Sequence, residues 1–128
     1  MKLLVNYSRG RGRKPIIAQA VRDTGVLINV ERAVIDSSEG EALIDVPDEQ
    51  CALVRDVMTG LGATVRILDH GIHHNDSECV DCGACVSICP REVFSFDKEW
   101  KLVCTENKCV LCGKCIEACP HRALSLPV

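Results

Sequence analysis

Eight of the ten cysteines in this 128-residue chain stand in two copies of one string. The first is Cys79-x2-Cys82-x2-Cys85-x3-Cys89-Pro90; the second is Cys109-x2-Cys112-x2-Cys115-x3-Cys119-Pro120. Thiolates are soft ligands that suit iron–sulfur clusters and zinc. A cubane cluster needs four of them, converging from different directions. Three cysteines spaced by two residues can wrap a tight loop around one face of such a cube. The fourth sits too far along to complete the same loop comfortably. The spacing is that of the bacterial iron–sulfur run, and its duplication predicts two [4Fe-4S] clusters.

Other chemistries fit less well. Structural zinc takes four ligands per site, usually as separated pairs of cysteines; here they come as three close together plus one. Disulfides need an oxidising compartment. The opening Met1-Lys2-Leu3-Leu4-Val5 carries a lysine but no h-region, since Asn6 and Tyr7 end the apolar stretch. The expectation is therefore no signal peptide and a reducing cytoplasm. No apolar run approaches the length that crosses a bilayer. The formal charge is −3. Each oxidised cubane with four thiolates adds about −2, which brings the loaded chain to about −7. That balance speaks against general nucleic-acid binding and for steering towards a basic partner surface.

The C-terminal part, roughly residues 75–128, resembles a two-cluster bacterial ferredoxin. In such proteins the fourth cysteine of each string ligates the other cluster. The resemblance implies one site of Cys79, Cys82, Cys85 and Cys119, and a second of Cys109, Cys112, Cys115 and Cys89. Crossed ligation ties the two halves together and makes metal binding part of folding. Gly83 and Gly113 stand at matching places where the backbone must pass close to a sulfide and a side chain would obstruct it. Pro90 and Pro120 set the backbone after each crossing ligand.

The elements that position these residues follow from the same duplication. Residues 78–96 align without gaps on residues 108–126, matching Val80 to Val110, Val86 to Ile116 and Phe94-Ser95-Phe96 to Leu124-Ser125-Leu126. A pseudo-two-fold domain is expected. It should have short strands near 93–96 and 124–126, and one or two helical turns after Cys85 and Cys115. A hairpin over 97–107 should put Trp100 and Leu102 over the core. Residues 1–69 read as a separate βαββαβ unit, the split βαβ or ferredoxin-like plait. Its strands are expected over 3–7, 26–36, 41–46 and 63–69, with Ile28, Val30 and Val34 on one side of the second. Pro15 starts the first helix, Gly25 ends it, and Ile17, Ala20 and Val21 form its apolar face. Asp48 caps the second helix, which buries Cys51, Val54, Val57, Met58 and Leu61 and ends at Gly62. The fold class is α+β, divided into residues 1–69, a polar linker at 70–77, and residues 78–128.

The first unit is similar to the NIL domain, on its element order and on Pro15-Ile16-Ile17 followed by Gly25-Val26-Leu27-Ile28-Asn29-Val30. The fusion looks like the NIL-domain ferredoxins of methanogenic archaea and other anaerobes. Within that group the resemblance implies the iron–sulfur subunit of an L-aspartate semialdehyde sulfurtransferase. Such a subunit takes electrons from a donor and passes them to a larger catalytic protein that makes homocysteine. No catalytic acid, base or nucleophile is expected in this chain. The plait also offers a surface for homo-oligomers. Two alternatives stand beside this: an amino-acid-binding redox sensor, and a free ferredoxin whose first unit only docks it.

Several residues carry two readings. Cys51 lies in the first turn of a helix, where the dipole activates a thiol, but also on that helix's apolar face, and the core reading is favoured. Cys104 is either a spare ligand or sulfur carrier, or a buried strand residue, with the strand favoured. Arg9-Gly10-Arg11-Gly12-Arg13-Lys14 precedes a helix and could meet an anion, yet residues 1–70 balance nine basic against ten acidic side chains, so a solvated loop is preferred. His70, His73 and His74 lack the tight partners of a metal site. His121, beside a crossing cysteine, either tunes a cluster through a hydrogen bond or stands exposed.

Overall fold

A computed structural model describes residues 1–8 and 15–127. The Gly/Arg segment 9–14 lies outside the described residues. The chain divides into two compact units, Met1–Asp69 and His70–Val128.

The first unit runs β1 (Lys2–Ser8), α1 (Ile16–Thr24), β2 (Asn29–Ile35), β3 (Glu39–Asp45), α2 (Cys51–Gly60), β4 (Thr64–Leu68). The strands form one antiparallel sheet in the order β2-β3-β1-β4. Alternation in β1 and β3 puts Leu3 and Val5 opposite Ile44 and Ala42 on one face. Both helices close over that face, burying Ile16, Ala20, Cys51, Val54 and Met58 with those strand residues in one core. Gly25 ends α1 in the left-handed conformation (φ 70°), its N–H bonded to Val21 O at 2.8 Å.

Two expectations fail here for local reasons. The second strand starts at Asn29, and its register shifts between Val30 and Arg32. The bulge leaves Val30 opposite Ile44 and Val34 opposite Glu41, so these two valines face opposite sides of the sheet. Asp48 does not cap α2 with its side chain. Residues Asp48–Gln50 form a 3₁₀ turn instead, and the Asp48 carboxylate accepts a hydrogen bond from the N-terminal amine at 2.8 Å. A charged amine nearby outcompetes a neutral backbone N–H for a carboxylate.

The second unit is made of short pieces: β5 (His73–His74), α3 (Ala84–Ile88), β6 (Phe94–Phe96), β7 (Leu102–Cys104), α4 (Lys114–Ala118) and β8 (Leu124–Ser125). β5 pairs with β8 and β6 with β7, each as a two-stranded antiparallel ribbon. The segment read as a linker is thus partly structural. His73 and His74 pair with Ser125 and Leu124, and Ile72 is buried. A two-residue strand leaves no periodicity to read. Trp100 also departs from expectation. It lies 75% exposed on the β6–β7 connection, its ring 5.8 Å from that of Phe96, and does not cover the core. Leu102 is half-buried.

The duplication is visible in the backbone. Asn75 N–H bonds Ala123 O at 2.8 Å, and Thr105 N–H bonds Val93 O at 2.7 Å. The two pairs are related by the same thirty-residue offset that relates the cysteine strings.

Candidate metal centres

Each cysteine string folds in the same way. Its second loop residue is left-handed, Asp81 at φ 56° and Leu111 at φ 58°, and so is the glycine two further on, Gly83 at 80° and Gly113 at 78°. A third pair follows the crossing cysteine, Glu92 at 54° and Arg122 at 52°. Left-handed backbone at non-glycine residues costs energy and persists only where the surroundings demand it. Here it turns N–H groups inwards. Asp81 N–H lies 3.4 Å from Cys79 Sγ, Leu111 N–H 3.4 Å from Cys109 Sγ, and Ala123 N–H 3.4 Å from Cys119 Sγ. N–H groups gathered in this way favour anionic sulfur. The Asp81 carboxylate in turn accepts Leu102 N–H at 3.0 Å, tying the first loop to β7.

Helices α3 and α4 carry the third cysteine of each string inwards. The crossing cysteine then closes the helix: Cys89 N–H bonds Cys85 O at 3.1 Å, and Cys119 N–H bonds Cys115 O at 3.0 Å. Both crossing cysteines are extended, at ψ 116° and 111°, which ends the helical path.

Two cavities result. One is lined by Cys79, Cys82, Cys85 and Cys119, with Val80, Ala84, Leu102 and Leu124. The other is lined by Cys109, Cys112, Cys115 and Cys89, with Ile72, Val93, Phe94 and Leu126. Each brings together three cysteines of one string and one of the other. In both, the third cysteine is buried and the second is exposed. Among the described residues, no three His, Cys, Asp or Glu side chains gather as a single-ion site requires. The quartets surround a space instead. Soft sulfurs from four sides, apolar walls and inward N–H groups form a donor set that fits a cubane core.

Burial acts on these thiols. It pushes Cys85 above the ordinary thiol value, against backbone N–H groups that pull it down. Cys115 is pushed up to about 11, by burial first and then by the neighbouring Cys109, Cys112 and Cys89. Iron must displace these protons on binding.

The charges around the two cavities differ. The first has His74 and His121 in its lining and Asp81 beside Cys79; the second has Arg91 and Lys114. His121 is exposed as a residue while lining the first cavity. In the sequence His74 groups with the linker histidines. The signal for it was the thirty-residue offset, which carried backwards pairs His74 with Cys104 on equivalent strands.

The reason for glycine at 83 is also more specific than expected. A Cβ there would come 2.8 Å from the Phe96 ring, whereas one at Gly113 meets nothing within 4 Å. Gly83→Ala carries the left-handed penalty of about 1–2 kcal/mol and a displaced ring besides. Gly113→Ala carries the penalty alone. Thermal denaturation of the anaerobic holoproteins should rank wild type above Gly113→Ala, and Gly113→Ala above Gly83→Ala.

The two remaining cysteines are placed differently. Cys51 is buried in the core of the first unit. Cys104 is half-buried in β7, its thiol pushed up to about 11 by burial and then by Glu106. A thiol shielded by burial is slow to react. Brief alkylation of the folded holoprotein at pH 8 should leave both unlabelled, and Cys51→Ala and Cys104→Ala should keep the wild-type iron content. Elsewhere in the first unit, a pocket of about 430 Å³ is lined by Tyr7, Asp36, Glu39 and Glu41 among others. No helix among the described residues is long and apolar enough to cross a membrane.

Comparison with known proteins bears on this arrangement. Residues 78–123 match the family model of a 4Fe-4S dicluster domain. The chain is 45% identical over 102 residues to the L-aspartate semialdehyde sulfurtransferase iron-sulfur subunit of Methanosarcina acetivorans, spanning 80% of this chain and 78% of that one. It is 29% identical over 95 residues to the protein of the same name in Methanocaldococcus jannaschii, spanning 73% and 72%. The chain is a mixed α/β protein with a 4Fe-4S ferredoxin-type domain.

Proposed function

Because the chain belongs to the family of L-aspartate semialdehyde sulfurtransferase iron-sulfur subunits, we propose that it carries electrons to a larger catalytic partner that makes homocysteine from the semialdehyde. Two [4Fe-4S] clusters do the carrying. Cys79, Cys82, Cys85 and Cys119 hold one; Cys109, Cys112, Cys115 and Cys89 hold the other. The first unit is a NIL-type plait that docks the chain on its partner, and the protein works in a reducing cytoplasm. The observation that carries the reading is the crossed cysteine quartet around each cavity.

The chain's own residues hold and orient. The apolar walls exclude water, and the N–H groups of Asp81, Leu111 and Ala123 favour thiolate over thiol. Exposed Cys82 and Cys112 bring one corner of each site to the surface, where a partner's redox group can approach. Bound there, two one-electron clusters would supply the pair that reduction of a disulfide or persulfide requires. The loaded charge of about −7 steers the chain to a basic surface.

The test is anaerobic. Reconstituted protein should contain about eight irons and bind the purified sulfurtransferase subunit. It should also raise homocysteine formation with a low-potential donor. Zinc, or about four irons, would end the two-cluster reading. Eight irons without binding or stimulation would end the partner assignment alone.

A further inference from the structure

His74 stands where the two halves of the duplicated unit cease to be equivalent. Its side chain is only 11% exposed. Nδ1 lies 3.1 Å from the Asp76 carboxylate, itself almost fully exposed. Nε2 is buried and has no hydrogen-bond partner among the described residues. His74 lines the cavity of Cys79, Cys82, Cys85 and Cys119. A buried nitrogen left unpaired is costly, so its presence there calls for a partner. The remaining lining is apolar or glycine, apart from His121 and the cysteine sulfurs.

Resting on the two-cluster reading, we propose that His74 donates a hydrogen bond from Nε2 to a sulfur of the cluster in this cavity and thereby raises the reduction potential of that cluster alone. Asp76 is exposed to water and does not fix the tautomer; an anionic cluster favours the ring's one hydrogen on Nε2 over a lone pair. Reduction adds one negative charge to the cluster. A donor aimed at its sulfur therefore stabilises the reduced form more than the oxidised form.

The offset of thirty residues puts Cys104 at the equivalent strand position, pairing with Phe94 as His74 pairs with Leu124. Cys104 does not line the second cavity. A short thiol cannot reach where an imidazole does. The lining of the second cavity contains no histidine, so removing the His74 imidazole acts on one cluster only.

The experiment is an EPR-monitored potentiometric titration of anaerobic holoprotein, with iron counted in parallel. Wild type, His74→Phe and His74→Gln are compared. In His74→Phe, with iron content held, one cluster should shift to lower potential. Its reduced-to-oxidised ratio at a fixed potential should fall about tenfold, about 59 mV for one electron, while the other cluster stays in place. His74→Gln, which keeps an N–H donor, should recover part of the shift. Unchanged potentials, or equal shifts in both clusters, would overturn the proposal. Should His74→Phe lose a cluster, ¹⁵N-histidine labelling of His121→Ala protein decides the matter. A nitrogen hyperfine coupling on one reduced cluster supports the bond, and its absence overturns it. A wild type without eight irons points instead to failure of the two-cluster reading.

Discussion

Cys119→Ala should empty the site built by the opposite string. Iron should fall from about eight to about four per chain. Alkylation of the native protein should then label Cys79, Cys82 and Cys85, while Cys109, Cys112, Cys115 and Cys89 stay protected. Cys89→Ala should give the mirror pattern. The reason is geometric. After α4 the chain turns to extended backbone at Cys119 (ψ 111°), and Cys119 lines the cavity of the first three cysteines. A thiolate bound to iron is shielded, whereas three cysteines without a fourth hold a cubane weakly. If Cys119→Ala exposed Cys109, Cys112 and Cys115 instead, ligation would be local and the crossed assignment wrong.

The second large effect concerns folding. Anaerobic removal of iron by a chelator should unfold residues 70–128 and leave residues 1–69 folded. The second unit has two-stranded ribbons and five-residue helices. Neither is stable alone in water. Its third cysteines are buried thiols that must be ionised to bind iron, so without iron the unit has neither metal bonds nor a sizeable core. The first unit differs: a four-stranded sheet carries two helices of nine and ten residues over a common core. Hydrogen exchange read by mass spectrometry separates the two. Amides of β1, β3 and α2 should stay protected after chelation, while those of α3, α4 and β6 exchange at the rate of an open chain. Retained protection in α3 and α4 would show that the metals do not hold this unit together.

Local and long-range interactions left different traces in this chain. The cysteine string, its duplication and the helices after Cys85 and Cys115 were legible because metal ligation and helical turns operate over three or four residues. The six elements of the first unit were legible for a similar reason. Hydrophobic period, Pro15 and Gly25 mark where its elements begin and end. The places where the sequence misled are those where one segment meets another far along the chain. The side on which Val34 points depends on a bulge against β3. The role of Asp48 depends on where Met1 arrives. Trp100 looked like core because it is large and apolar, but the tight β6–β7 connection holds it at φ 61° on the outside.

By itself the sequence determined which residues are able to bind soft metal and that they come as two related sets, since thiolate chemistry depends on residue type and near spacing. Only the tertiary structure decided that two histidines in an apparently polar connector form a strand beside Ser125 and Leu124. It also decided that one of them, with a buried nitrogen, lines the first cavity, while Cys104 on the equivalent strand does not line the second. Strand pairing across about fifty residues sets that contrast, and pairing at such range leaves no trace in local residue order.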